Sequence, residues 1–229
     1  MTRSARCRWR IALASGSLAA ALAMTGCAET ATLTVAQGTG AHPILPAPQR
    51  TLLPTLNIAS AKGWPSGATP QAAAGTRVAA FATGLDHPRW MLVLPNGDVL
   101  VAETNAPPKA EGPVSIKEWV TGLVLKRAGA GVPSANRITL LRESSGDGVV
   151  DVRSTLLAGL NSPFGMALIG DQLFVANVGA VLSFPYRTGD TVITAPGTKL
   201  LELPGGPINH HWTKNVRASA DGSKLYVSV

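Results

Sequence analysis

Cysteine is nearly absent from this 229-residue chain, which has only Cys7 and Cys27. That excludes a scaffold stapled by several disulfides. Aromatic residues make up 5% and charged residues 14%, against 45% apolar content. Stability must come from an aliphatic core, which a chain of this length can build in one or two domains. Acids are scarce as well: 13 against 20 basic residues, for a formal charge of +7. Arg3, Arg6, Arg8 and Arg10 supply four of those charges within residues 1–27, which contain no acid. The +3 left over is too little to point to nucleic acid as a partner. A P-loop, a CxxC pair, an HExxH helix and a Ser-His-Asp order are all missing, which removes the commonest nucleotide, zinc and hydrolase signatures.

What is present begins with an address. The basic start leads into the apolar run Ile11 to Gly26, too short and alanine-rich for a membrane span, and the pattern reads as an export signal over residues 1–27. Met24-Thr25-Gly26-Cys27 resembles the bacterial lipobox, which makes Cys27 the candidate lipidated N-terminus of the mature chain. An ordinary secretory signal in which Cys27 is incidental fits the same small residues. The lipoprotein reading places a soluble domain in the bacterial periplasm, anchored to a membrane face, the outer membrane being expected. Residues 28–76, rich in Ala, Thr, Pro and Gly without a sustained period, read as a flexible tether. The globular part, residues 77–229, follows.

An internal repeat organises that part. Gly84 to Thr104, "GLDHPRWMLVLPNGDVLVAET", aligns with Gly159 to Val178, "GLNSPFGMALIGDQLFVANV", and a weaker third copy spans Asn215 to Val229. Each copy is an apolar strand, a turn carrying Gly or Asp, and a second apolar strand, the signature of a hairpin. Two more strand-like runs follow each of the first two copies: Arg137 to Glu143 and Val152 to Leu160, then Ala180 to Tyr186 and Thr198 to Pro204. Four strands per unit predict the blades of an all-β propeller. Two blades and half of a third are expected, so the chain reads as an incomplete N-terminal part of such a ring, or as a truncated product with an open edge. Within the main insertion, Ile116, Trp119, Val120, Leu123 and Val124 fall at helical spacing and predict a helix packed on the surface, ahead of a membrane or partner helix.

The repeat also ranks the histidines of "GGPINHHWTKN". Five positions before the aligned residues Met91, Met166 and Val216 stand Asp86, Asn161 and His211, each in the turn feeding a unit's first strand. That strand is innermost in most propellers, so a side chain there stands at the channel mouth. Extended backbone sends neighbours to opposite sides, which separates His210 from His211 and favours His211 as a general base. A turn histidine bonded only to backbone is the alternative. A second candidate is Glu143 to Asp151, "ESSGDGVVD", similar to a D-x-D-x-D-G-x-x-D calcium loop with Asp147 and Asp151 as the orthodox ligands and Glu143 and Ser145 in weaker positions. A plain Gly-Asp hairpin turn fits it as well.

Taken in order, "VAETNAPP", "KRAGAGVPSANRITLLRE", "GLNSPFGMAL", "FPYRTGD" and "PGGPINHHWTKN" resemble the L-sorbosone dehydrogenase-like family of pyrroloquinoline-quinone (PQQ) dependent quinoproteins, over about Thr76 to Val229. The family is related to the soluble glucose and aldose sugar dehydrogenases, and the resemblance implies a six-bladed β-propeller with PQQ and calcium as cofactors. It implies hydride transfer from a sugar or aldehyde substrate to the quinone, with His211 removing the hydroxyl proton and calcium acting as Lewis acid. In the relatives the base lies in a run H-x-x-G-R-hydrophobic; here Lys214-Asn215 replace Gly-Arg. The resemblance further implies that Lys214 and its repeat counterpart Arg89 face the cofactor carboxylates, whereas as residues alone both read as solvated turn cations. The electron acceptor is open, and a noncatalytic propeller used as a binding scaffold is the alternative function. A metal-dependent lactonase on a similar propeller lacks acidic ligands near the channel turns.

Overall fold

A computed structural model describes residues 32–47, 58–108, 115–205 and 211–229. The chain divides into two units, Met1–Ala59 and Ser60–Val229. In the first, Thr34 to Gln37 forms a turn closed by the Gln37 amide on the Thr34 carbonyl (3.1 Å), and its described residues carry neither helix nor strand. The export-signal assignment and Cys27 lie outside the described residues.

The second unit is built from antiparallel sheets. β1 (Pro88–Val93), β2 (Val99–Glu103), β3 (Arg137–Arg142) and β4 (Val152–Leu157) form one sheet in chain order; β5 (Met166–Ile169), β6 (Gln172–Ala176), β7 (Ala180–Pro185) and β8 (Thr198–Glu202) form a second. β9 (Asn215–Ala218) and β10 (Leu225–Ser228) make a hairpin. The three leading hairpins share a register, Met91 opposite Val101, Met166 opposite Val175 and Val216 opposite Val227, as the repeat requires. Alternating aliphatic residues fix that register, since a one-residue slip would turn the core face of each strand to water. In the first turn, Gly97 (φ 89°) takes the left-handed conformation that lets its amide reach the Leu94 carbonyl (2.9 Å).

The repeat extends to the turns that feed each sheet. His87 (φ 52°) and Ser162 (φ 46°), at equivalent positions, both adopt left-handed backbone. The preceding amide is satisfied the same way in both copies: Asp86 donates to the Glu103 carboxylate, and Asn161 to Asn177 Oδ1 (3.0 Å). A side chain at the end of the second strand thus caps the entry of the first, using Glu in one sheet and Asn in the next.

Burial follows the sheet faces. Leu94, Leu100, Ile138, Leu140 and Leu156 of the first sheet pack against Met166, Leu173, Val175 and Phe184 of the second. The second sheet's other face meets the hairpin through Ala167, Ala176, Val181 and Val216. β5 lies beside β1 on one side and β9 on the other, and the Gly165 amide bonds the Lys214 carbonyl (3.0 Å), so the leading strands are the ones that adjoin. Successive four-stranded meanders with adjoining first strands are consistent with a partial propeller-like fold. At the far end of the sheets, Arg142 grips Asp98 through two 2.7 Å bonds and reaches the Gly189 carbonyl (3.2 Å), tying the two sheets together.

The insertion between β2 and β3 contains α1 (Ile116–Arg127), opened by a capping box in which Ser115 and Glu118 bond reciprocally. The expectation of a packed surface helix is corrected. Ile116, Trp119, Val120 and Leu123 are 84%, 61%, 48% and 51% exposed, and α1 packs on none of the described strands. Helical spacing shows that one face is apolar; it does not show what covers that face.

Candidate functional site

The meander order puts the turns entering β1, β5 and β9 at one end of the sheets, and the β3–β4 connection at the other. This alone separates the two candidate sites. His211 and Lys214 belong to the entry of β9, while Glu143 to Asp151 form the opposite connection.

His211 is exposed in the segment leading into β9; His210 lies outside the described residues. Trp212 follows, and around it the structure assembles a row that no aligned column of the repeat displays. The Trp90 and Phe164 rings are 5.1 Å apart, Phe164 meets Trp212 edge-on at 6.3 Å, and the Arg89 guanidinium lies 5.5 Å above the Trp212 ring. Trp90 aligns with Gly165, Phe164 with Arg89 and Trp212 with His87, so the three aromatics come from different repeat positions and meet only in space. Rings at these separations attract beyond their burial, and a cation over an indole adds about 0.5–2 kcal/mol. Arg89, expected toward cofactor carboxylates, lies over the ring of the residue next to His211. Its replacement by Leu is expected to loosen the His211 segment, cost about 1 kcal/mol, and alter Trp212 fluorescence before the sheets melt. Unchanged emission and stability would contradict that contact.

Lys214 is buried along its stem. It is 3% exposed, and among the described residues no hydrogen bond or ion pair reaches its ammonium. Its Nζ is not among the buried polar atoms left without a partner, so the stem is buried while the ammonium stays accessible. Position accounts for the burial: the Lys214 carbonyl receives the Gly165 amide, holding the residue where β5 and β9 converge. The same end contains His87, whose Nδ1 is buried without a partner.

Glu103 is the buried acid of this end. Its carboxylate accepts from Arg137 Nε (3.1 Å) and Nη2 (2.7 Å), from the Thr139 hydroxyl and from the Asp86 amide, with Arg153 at 3.7 Å. Burial pushes its pKa up, but the bonds from Arg137, Thr139 and Asp86 hold it below the ordinary range. Arg137 also pairs with Asp86 (2.6 Å), so Glu103 is committed to structure. Sequence reading passed over it, although an acid ending an apolar strand where the next repeat has Asn177 is a legible signal.

The calcium-like loop folds on itself. Asp151 Oδ2 accepts from the Ser144 amide (2.6 Å) and hydroxyl (2.8 Å) and from the Ser145 amide (3.1 Å). Glu143 Oε1 takes the Ser145 hydroxyl (3.1 Å) and the Gly146 and Asp147 amides, and Asp147 Oδ1 takes the Val149 amide (2.7 Å). Each carboxylate is turned to its own loop, and bonds from Ser144 and Ser145 hold Asp151 below the usual carboxylate pKa. No group of three His, Cys, Asp or Glu suited to a metal occurs among the described residues. One oxygen of each carboxylate is bonded within the loop, the pattern of a hydrogen-bonded hairpin turn.

No family model matches the chain, and neither does any curated protein. Two solved structures are similar. The holo PQQ domain of pyranose dehydrogenase from Coprinopsis cinerea matches 66% of this chain and 29% of its own, at 18% identity and a TM-score of 0.46. A Trichoderma reesei carbohydrate-active enzyme of family AA12, solved as an iodide structure, matches 69% of this chain and 34% of its own, at 19% identity and a TM-score of 0.50. This chain therefore spans about a third of the length of either. At such identity the second match speaks to a shared fold.

Proposed function

We propose that this chain is the N-terminal part of an exported quinoprotein, a PQQ-dependent sugar or aldehyde dehydrogenase of the sorbosone or aldose type on a six-bladed β-propeller. The observation that carries the reading is the placement of Lys214 three residues beyond the exposed His211, where β5 and β9 converge. The polyanionic cofactor named by the sequence resemblance suits that cation. When bound, PQQ supplies the two-electron acceptor that no side chain provides. Lys214 would then hold a carboxylate, and a ring nitrogen of His211 would accept the substrate hydroxyl proton. Arg89, through Trp212, positions that histidine. Cys27 is proposed as the lipid anchor, which places the domain at the periplasmic face of the outer membrane.

Incompleteness belongs to the same proposal. The third sheet has two strands where the first two have four, and a groove of about 430 Å³ lined by Ile169, Phe174, Leu200 and Leu225 lies beside the hairpin. Two further strands would cover it as β3 and β4 cover the first sheet's outer half.

The test is reconstitution of a chain extended by the remaining blades with PQQ, followed by dye reduction with aldoses and sorbosone. His211→Ala is expected to lower kcat about a hundredfold while retaining quinone, and Lys214→Met to weaken quinone retention about tenfold. Full activity in His211→Ala sinks the assignment. A folded protein that never reduces dye supports the second reading, a noncatalytic scaffold, which Lys214-Asn215 in place of Gly-Arg favours.

A further inference from the structure

The repeat reaches back beyond β1. At the offset that aligns Gly84 with Gly159, residues 77–82 fall on Val152–Leu157, the outermost strand β4 of the first sheet. One bond repeats at that offset. The Phe81 carbonyl accepts the Val150 amide (3.1 Å), and its counterpart, the Leu156 carbonyl, accepts the Ile193 amide (2.8 Å). Val150 lies in the β3–β4 connection and Ile193 in the β7–β8 connection, so residues 77–82 meet the first sheet as β4 meets the second. Arg153 fastens the next residues, donating to the Thr83 (3.1 Å) and Gly84 (2.9 Å) carbonyls. Yet this strand position has no sheet: Val78 is exposed, and among the described residues no backbone hydrogen bond reaches Arg77 to Ala80.

The same offset says what belongs beside it. Met166, 3% exposed, and Leu168 pack toward the first sheet, while Val216, also 3% exposed, and Ala218 pack toward the second. Their counterparts Met91 and Val93 are 68% and 66% exposed. At both joints within the chain these positions are covered by the preceding four-stranded unit. The cover for Met91 and Val93 is therefore a unit of the same kind, one whose outermost strand is already supplied by residues 77–82. An unpaired strand edge and an apolar face are both liabilities in water. A three-stranded meander removes both at once, pairing its last strand with residues 77–82 and packing on Met91 and Val93.

We propose that residues 77–82 are the fourth strand of the ring's last unit, that the remaining blades supply the other three, and that this unit seats on Met91 and Val93. The two ends of the ring are thereby clasped in one sheet. The clasp rests on the propeller proposed above and is independent of quinone chemistry.

The test follows amide hydrogen exchange in the chain extended by the remaining blades. An outermost strand is bonded along one edge, so alternate amides within residues 78–82 are expected to exchange about a hundredfold slower than those of Gln71 and Ala73, which precede the strand position. Ala79→Pro/Ala80→Pro, which removes one amide from each edge, should abolish that protection while β6 and β7 keep theirs. Met91→Lys/Val93→Lys should abolish it as well, by unseating the partner strands. Exchange as fast as at Gln71, or protection untouched by either pair of substitutions, overturns the proposal. So does protection that falls on dilution, which would assign the partner strands to a second copy. A chain that never reduces dye yet protects residues 78–82 sinks the dehydrogenase and keeps the clasp; dye reduction without that protection does the reverse.

Discussion

Gly165→Val is expected to detach the β9–β10 hairpin from the second sheet and to cost on the order of 4 kcal/mol. Space is what this glycine supplies. A Cβ at this position would lie 2.6 Å from Asn215 Cα and press on Asn215 Oδ1 and the Val216 amide. Backbone cannot retreat as a flexible side-chain tip does, and the segment is bonded on both sides: Gly165 donates to Lys214 (3.0 Å), and its carbonyl accepts from Ala176 (2.8 Å). Any shift therefore breaks a sheet bond or opens the Val216 contact with Ala167 and Ala176. Gly170→Ala is the control. Gly170 has φ 57° but nothing within 4 Å of its Cβ position, so that change should cost about 1 kcal/mol. Urea unfolding of both variants separates crowding from backbone strain. A Gly165→Val protein within 1 kcal/mol of wild type would show that β5 and β9 do not approach as described. Because Lys214 and His211 lead into β9, the same substitution should remove whatever ligand binding this end supports.

The pairings among these strands were legible because alternation and turn residues act locally. Met91, Met166 and Val216 could be aligned from the chain alone, and the structure places all three opposite valine in the partner strand. Helix α1 was legible for the same reason, with Ile116 and Trp119 announcing a face. Its cover was not, since amphipathic spacing carries no information about the opposing surface. At the candidate site, position in the repeat brought out His211, but the burial of Lys214 depends on the approach of Gly165 from another sheet. The Trp90, Phe164 and Trp212 row escaped because its members occupy three different repeat positions. Asp147 and Asp151, read from a ligand-like spacing, each turn one oxygen to the loop itself, which spacing alone does not show.

Glu103→Ala should destabilise the second unit by about 3–5 kcal/mol, because it leaves Arg137, the Thr139 hydroxyl and the Asp86 amide without the buried acceptor they share. Glu103→Gln separates charge from hydrogen bonding. Its amide oxygen can still receive the Asp86 amide, as Asn177 receives Asn161 in the second sheet, so it should lose about half as much. The two also differ in acid. The folded-state pKa of Glu103 is depressed, so its contribution is full above the unfolded value of about 4.3 and is lost as pH falls through the folded value. Wild type should therefore lose stability below about pH 4 more steeply than Glu103→Gln, whose curve lacks this carboxylate. Asp98 adds to the slope in both proteins: the bond from Arg142 lowers its pKa in the same direction. The difference between the two curves therefore isolates Glu103. If the curves run parallel, Glu103 is not ionised in its cage, and the amide-accepting role it shares with Asn177 is its main contribution.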